Sequence, residues 1–154
     1  MIMKKILLLA ALFTTGFTVM AQVRVSRHLK SQQEILNDQY ASGMFKSAEG
    51  TIIDVENENV QAYFNILDWL EGRVAGLQVF VSRNGTRVPV IRGSVASIYV
   101  DEMRLDAAFL NALSVNDIAM IKVIKGPFAG AIGNGGGGVI AIYTFRGEDE
   151  EQED

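Results

Sequence analysis

Apolar positions along this chain change their period several times, and each change marks a predicted element. From Asn59, Val60, Phe64, Leu67 and Leu70 recur at helical spacing. Asn59 is placed to cap that helix, Gly72 to end it, and Trp69 flanks its apolar face. After Gly76 the period shortens to two at Leu77, Val79 and Val81, as in a strand. Asn84-Gly85 then gives a hairpin signal between that strand and Val88–Ile91. Pro89 puts the second strand at an edge or gives it an irregularity. Ser97–Asp101 is a further strand, and Asp106 caps a short helix through Phe109, Leu110 and Leu113. Ile118–Ile124 is a strand stopped by Gly126-Pro127. The last segment, Gly138–Phe145, is apolar on both faces, which suits a strand covered on two sides and therefore central in its sheet. The expected class is α+β, a small mixed β-sheet covered by helices.

The ends are different. Val23–Glu58 mixes polar and scattered apolar residues; it reads as an extended arm at 22–58 with a short helix over Gln33–Tyr40. Lys4 and Lys5 precede the apolar run Ile6–Phe13, and Val19-Met20-Ala21 supplies a cleavage site, so 1–21 is expected to be a signal peptide. The alternative, an N-terminal membrane anchor, would need an apolar run of about 20 residues. No cysteine follows the run to carry a lipid.

Removal of 1–21 leaves 133 residues with 12 Lys+Arg against 18 Asp+Glu. Six of those acids lie in Glu148–Asp154, so the acidity belongs to a tail at 148–154, expected to be solvated, and the body at 22–147 is neutral. There is no basic footprint for nucleic acid. The absence of cysteine excludes a disulfide framework, thiolate metal sites and a cysteine nucleophile. His28 is the sole histidine and sits in the polar arm, where it reads as a surface residue.

Three patterns resemble chemistry. Gly133–Gly138 (GNGGGG) has the form G-x-G-x-x-G, but it opens a strand rather than a helix, so no helix N-terminus faces a pyrophosphate. Its plainer reading is a tight loop without side chains. Asp101 and Glu102 are adjacent at a strand end and point to opposite faces. Asp68 and Glu71 share a helical face, where solvated charge is the ordinary explanation. No nucleophile, base and oxyanion site assemble, and neither a cofactor nor a metal site is expected.

Residues 59–147 nevertheless carry an ordered set of short motifs. Asp68–Val79 contains a leucine, Gly72-Arg73 and a later Gly76; Ile91-Arg92-Gly93 follows; then Tyr99-Val100-Asp101; then Asp117-Ile118 with Ile121–Pro127; then Ile132-Gly133, Gly138-Val139-Ile140 and Ile142-Tyr143-Thr144. Together these resemble the plug domain of TonB-dependent outer-membrane receptors, in the branch associated with glycan-type nutrient uptake. The resemblance implies a globular plug seated in a barrel, without catalytic residues and responsive to the energy-coupling protein TonB. It singles out Arg73, Arg92, Gly93, Asp101, Lys125, Gly126, Gly133 and Gly138 as structural or partner-contact residues. Among them Arg92, Asp101 and Lys125 are expected to form a buried arginine–carboxylate network, or a simple fold-stabilising pair.

The chain departs from the family pattern at Glu102, where a glycine follows Tyr-Val-Asp, and at Phe145, where a basic residue is common. The Gly loop lacks the usual Ala-Asn, and no TonB box is recognisable in 22–58. A plugged barrel of about 22 strands, each about 9–11 residues, needs on the order of 200 residues, which these 133 do not hold. The expected function is an exported, non-enzymatic module in the periplasm or on the periplasmic side of the outer membrane of a Gram-negative bacterium. It would act with a separate barrel or TonB and take a glycan or other nutrient ligand. The alternatives are a freestanding periplasmic ligand-binding domain and an inactive receptor remnant.

Overall fold

The computed structural model describes residues 30–126, 128–133 and 136–146. The expected signal peptide, His28, Pro127, Asn134-Gly135 and the acidic tail lie outside the described residues.

Helix α1 (Gln32–Tyr40) opens on a capping box: the Ser31 hydroxyl accepts from the Glu34 N–H, and the Glu34 carboxylate accepts from the Ser31 N–H. It buries Leu36 and Tyr40. Helix α2 (Gly43–Ser47) buries Phe45, and strand β1 (Thr51–Asp54) follows. From Gln32 onward the segment expected as an extended arm with one short helix over Gln33–Tyr40 contains that helix, then a second helix and a strand. The second helix and the strand are too short to build a visible period, and their apolar residues are few.

The helix expected from Asn59 begins later. Helix α3 (Ile66–Leu70) is capped by Asn65, whose Oδ1 accepts from the Leu67 N–H at 2.9 Å and whose amide donates to Asn111 at 3.0 Å. Phe64, expected on the apolar face, is 95% exposed. Both asparagines are competent caps; Asn65 is the one followed directly by Ile66, Leu67, Trp69 and Leu70, all buried.

Two sheets form where one was expected. Strands β2 (Leu77–Val81), β3 (Arg87–Ile91) and β4 (Ser94–Val95) make a three-stranded antiparallel sheet with β3 in the centre. Pro89 is therefore not on an edge strand. The β4 ladder covers only Val90 and Ile91, and beyond it the Pro89 carbonyl accepts from the Ala96 N–H without needing a bond in return. The second sheet contains β1, β5 (Ser97–Val100), β6 (Met103–Leu105), β7 (Ile118–Ile124) and β8 (Val139–Thr144), in the order β1-β7-β8-β5-β6. Strand β8 is central, parallel to β5 and antiparallel to β7, as its two apolar faces predict. Before it, helix α4 (Phe128–Ile132) occupies part of the stretch between Gly126 and Gly138, where the sequence pattern predicts a loop.

The core has two layers, divided by the larger sheet. Ile140 and Ile142 of β8 pack with α3, Leu77 and Ile91 on one face; Val139, Ala141 and Tyr143 pack with α1, α2 and Ala129 on the other. A bulge in β7 between Ile118 and Met120 puts Ala119 and Met120 on the same layer.

Candidate functional site

The motif residues separate to the two ends of the larger sheet. Ile91-Arg92-Gly93 is a two-residue hairpin turn between β3 and β4, with φ positive at both Arg92 (54°) and Gly93 (80°). This is the type I′ geometry that matches strand twist. Arg92 is exposed; its Nη1 donates to the Lys125 carbonyl at 3.1 Å, and Lys125 Nζ donates to the Ala75 carbonyl at 2.7 Å. These contacts tie the small sheet to the end of β7. Arg73 Nη1 donates to the Trp69 carbonyl at 2.9 Å, and its guanidinium lies 4.4 Å from the Trp69 ring centroid.

At the same end the glycines are needed for space. A Cβ on Gly137 would stand 2.1 Å from the Val95 carbonyl oxygen. Gly138 has φ +81°, and a Cβ there would meet the Ile124 carbonyl at 2.8 Å. A Cβ on Gly133 would crowd Ala129, Ser97 and Val139, whereas one on Gly126 would meet no described atom within 4 Å beyond its chain neighbours.

Asp101 lies at the other end, beyond Val100. It forms a second type I′ turn with Glu102, at φ 48° and 67°. Its carboxylate accepts from the Thr144 N–H at 3.0 Å and the Thr144 hydroxyl at 2.8 Å. The expected Arg92–Asp101–Lys125 network is therefore not formed. Ile124 pairs with Val139 and Val100 with Ile142, so the length of β8 separates the two groups. Nor do Asp101 and Glu102 merely end a strand, since a left-handed turn aims them independently.

Glu102, which stands where the family places glycine, has a use of its own. Its carboxylate accepts from both the N–H and the hydroxyl of Ser42 at the start of α2, and the Tyr143 hydroxyl donates to it at 3.4 Å. Burial, then the charge and hydrogen bond of Glu102, raise the Tyr143 phenol above its ordinary range. Arg146 Nη2 completes this end, donating to the Tyr40 carbonyl at 2.8 Å.

Sequence reasoning missed Lys122, on β7. It is 2% exposed and surrounded by neutral acceptors: Asn37 Oδ1 and the Phe45 carbonyl at 2.7 Å, and the Lys46 carbonyl at 3.3 Å. The ammonium thus sits against the last carbonyls of α2, where a cation is favoured. Burial without a carboxylate partner lowers its pKa. Asp68 and Glu71, expected as solvated charge, clamp α3 to the small sheet: Asp68 accepts from Arg87 Nε at 2.6 and 2.7 Å, and Glu71 from the Val79 N–H at 2.9 Å.

One open cleft of about 490 Å³ lies between the β2–β3 hairpin and β6. Its rim carries Asn84, Thr86 and Arg104, and its lining includes Val88, Val95 and Ala107. Asp106 Oδ1 is already engaged in capping the next turn, accepting from the Ala108 N–H at 2.8 Å. Among the described residues, no group of His, Cys, Asp and Glu is arranged to hold a metal ion. No described helix is long and apolar enough to cross a membrane.

Comparison with known proteins places this geometry. The family described as TonB-dependent Receptor Plug Domain matches residues 46–140. No curated protein matches significantly. Among solved structures, the RagAB peptide importer in its open-open state is similar at 26% identity and a TM-score of 0.55, over 66% of this chain and 12% of that one. Its closed-closed state gives 28% and 0.52, over 69% and 13%. The siderophore receptor PirA from Acinetobacter baumannii, at 22% identity and a TM-score of 0.53 over 77% and 19%, shares the fold. The chain thus spans less than a fifth of the length of these receptor structures.

Proposed function

Because the chain belongs to the TonB-dependent receptor plug domain family, we propose that it is a non-enzymatic, exported plug-like module that binds or gates in nutrient transport. It works with an outer-membrane barrel and a TonB-type energy-coupling protein, on the periplasmic side of the outer membrane. The observation that carries this reading is the central β8, with a full apolar layer on each face, set in an arrangement that matches receptor plugs over two thirds of the chain. Plug domains are transport components, and the polar clusters support that role: each holds one element of the fold to another. The motif residues Arg73, Arg92, Gly93, Asp101, Lys125, Gly126, Gly133 and Gly138 serve as structural residues of the plug, with Arg92 and Lys125 exposed enough to meet a partner.

A tagged pull-down of the exported chain from gently solubilised native envelopes tests this. Recovery of an outer-membrane barrel or TonB in near-equal amounts is expected; a soluble monomer without any membrane partner would overturn it.

The open cleft favours a second reading, a freestanding periplasmic ligand-binding domain. In either setting the ligand is a nutrient. The RagAB structures, named for peptide import, favour a peptide over the glycan that the sequence motifs suggested.

A further inference from the structure

Strand β6 is an edge of the larger sheet, and its backbone has one residue facing outward. The two-residue turn at Asp101-Glu102 makes Val100 and Met103 the pair that exchange both backbone bonds, and alternation makes Ile98 and Leu105 the next such pair. The other side of β5 agrees: the N–H groups of Ser97 and Asp101 go to Gly138 and Ile142. Arg104, between Met103 and Leu105, therefore turns its N–H and C=O away from β5, at the edge where the cleft begins.

We infer that this cleft binds an extended peptide, whose backbone adds to β6 through the Arg104 N–H and C=O while its alternate side chains rest on Val88, Val95 and Ala107. A donor and an acceptor presented together on one edge residue complement one residue of another extended chain. In strand addition such main-chain bonds supply affinity, and pockets for every second side chain supply selectivity. Among the described residues the lining offers no aromatic ring on which a sugar would stack, and its one carboxylate is committed to the Ala108 N–H. The inference rests on the reading of the chain as a binding module and places the ligand on it.

The test is a backbone-amide NMR titration of the full chain with an acetylated, amidated nonapeptide of alternating Val and Thr with one Lys. Two further arms use the same peptide N-methylated at every second residue and maltoheptaose. The unmodified peptide is expected to shift the amides of Arg104 and Ala107, and N-methylation of the pairing edge to weaken binding by at least about tenfold, the equivalent of one or two lost hydrogen bonds. Arg104→Pro removes the outward N–H without touching the β5–β6 ladder, as edge strands tolerate, and is expected to weaken binding by about tenfold. Arg104→Ala, which keeps the backbone, should stay within about threefold, since a solvated side chain contributes little. Equal binding of the N-methylated peptide, wild-type binding by Arg104→Pro, or shifts with maltoheptaose alone would each overturn the inference. If Arg104→Pro does not fold, the N-methyl comparison on the unaltered chain decides. Recovery of an envelope partner without peptide binding would sink this inference alone; peptide binding without such a partner would instead sink the barrel-coupled reading.

Discussion

Glu102 reaches across 60 residues of sequence to Ser42, its carboxylate taking both the backbone N–H and the hydroxyl of that residue. It does so from a left-handed backbone conformation at φ 67°. That conformation costs an L-residue about 1–2 kcal/mol, so the side chain must return a comparable amount. Glu102→Gly relieves the strain and loses the anchor; global stability is expected to change by less than about 1 kcal/mol. Glu102→Ala keeps the strain and loses the anchor, and is expected to cost about 2 kcal/mol. Urea titration measures both. Hydrogen exchange should quicken over α1 and α2 in each variant, and unchanged exchange there would refute the anchoring role.

Lys122→Met keeps the buried methylenes and takes the ammonium from Asn37 Oδ1 and the Phe45 carbonyl, while the Lys46 carbonyl keeps the Asn37 amide as donor. It should cost about 2–3 kcal/mol, the range for stranding buried polar groups. The pH dependence follows from the lowered pKa. Between that value and the ordinary 10.5, the unfolded state holds the proton more firmly than the folded state, so this group makes stability rise with pH. Subtracting the Lys122→Met profile from the wild-type profile isolates the slope. A flat or falling difference up to pH 10.5 counts against the buried ammonium.

Tyr143 acts in the opposite sense. Its phenol is raised from 10.0, so above that pH the unfolded chain releases a proton that the folded chain keeps, and stability falls as pH increases. Tyr143→Phe should remove this alkaline loss while leaving neutral-pH stability within about 1.5 kcal/mol, the cost of one modest hydrogen bond. Thermal melts from pH 8 to 11 compare the two proteins.

Gly137 and Gly93 separate crowding from backbone conformation. Gly93→Ala meets no atom within 4 Å and pays only for φ +80°, about 1–2 kcal/mol. Gly137→Ala drives a Cβ to 2.1 Å from a backbone carbonyl that cannot swing aside, and is expected to cost more than about 3 kcal/mol. Denaturant midpoints that ranked the two equally would contradict the close approach of the Gly loop to Val95.

The Asp68–Arg87 pair is about one-third exposed on each side. A double-mutant cycle with Asp68→Ala and Arg87→Ala should return a coupling of about 1 kcal/mol, diminished in high salt.

What the chain revealed in advance was whatever local periodicity controls. Ile118–Ile124 emerged with its observed bounds, and the two apolar faces of Val139–Thr144 identified the central strand. The Asn84-Gly85 hairpin and the Asp106 cap also formed where their turn chemistry put them. Choices settled by distant partners stayed hidden. Asn65 wins over Asn59 because the residues after it find a core. Lys122 looks like an ordinary polar strand position until Asn37, Phe45 and Lys46, more than 70 residues away, close over it. Arg92 and Asp101 looked like an ion pair by type, and the sheet's own length keeps them apart. Glu102 stands out in the sequence as a misfit in a glycine position, but its partner Ser42 lies in the segment with the weakest signal.

The position of β8 also makes the fold mechanically polar. A load applied at the N-terminal side first meets short helices, seated by Leu36, Tyr40 and Phe45 and tied by a few polar anchors, then β1, an edge strand joined to a single neighbour. Those attachments can give way one after another. A load applied at the C-terminal side meets β8 directly, and β8 is bonded to β7 on one flank and β5 on the other. Both ladders would then be sheared along their length at once. The same domain therefore peels from one end and locks from the other.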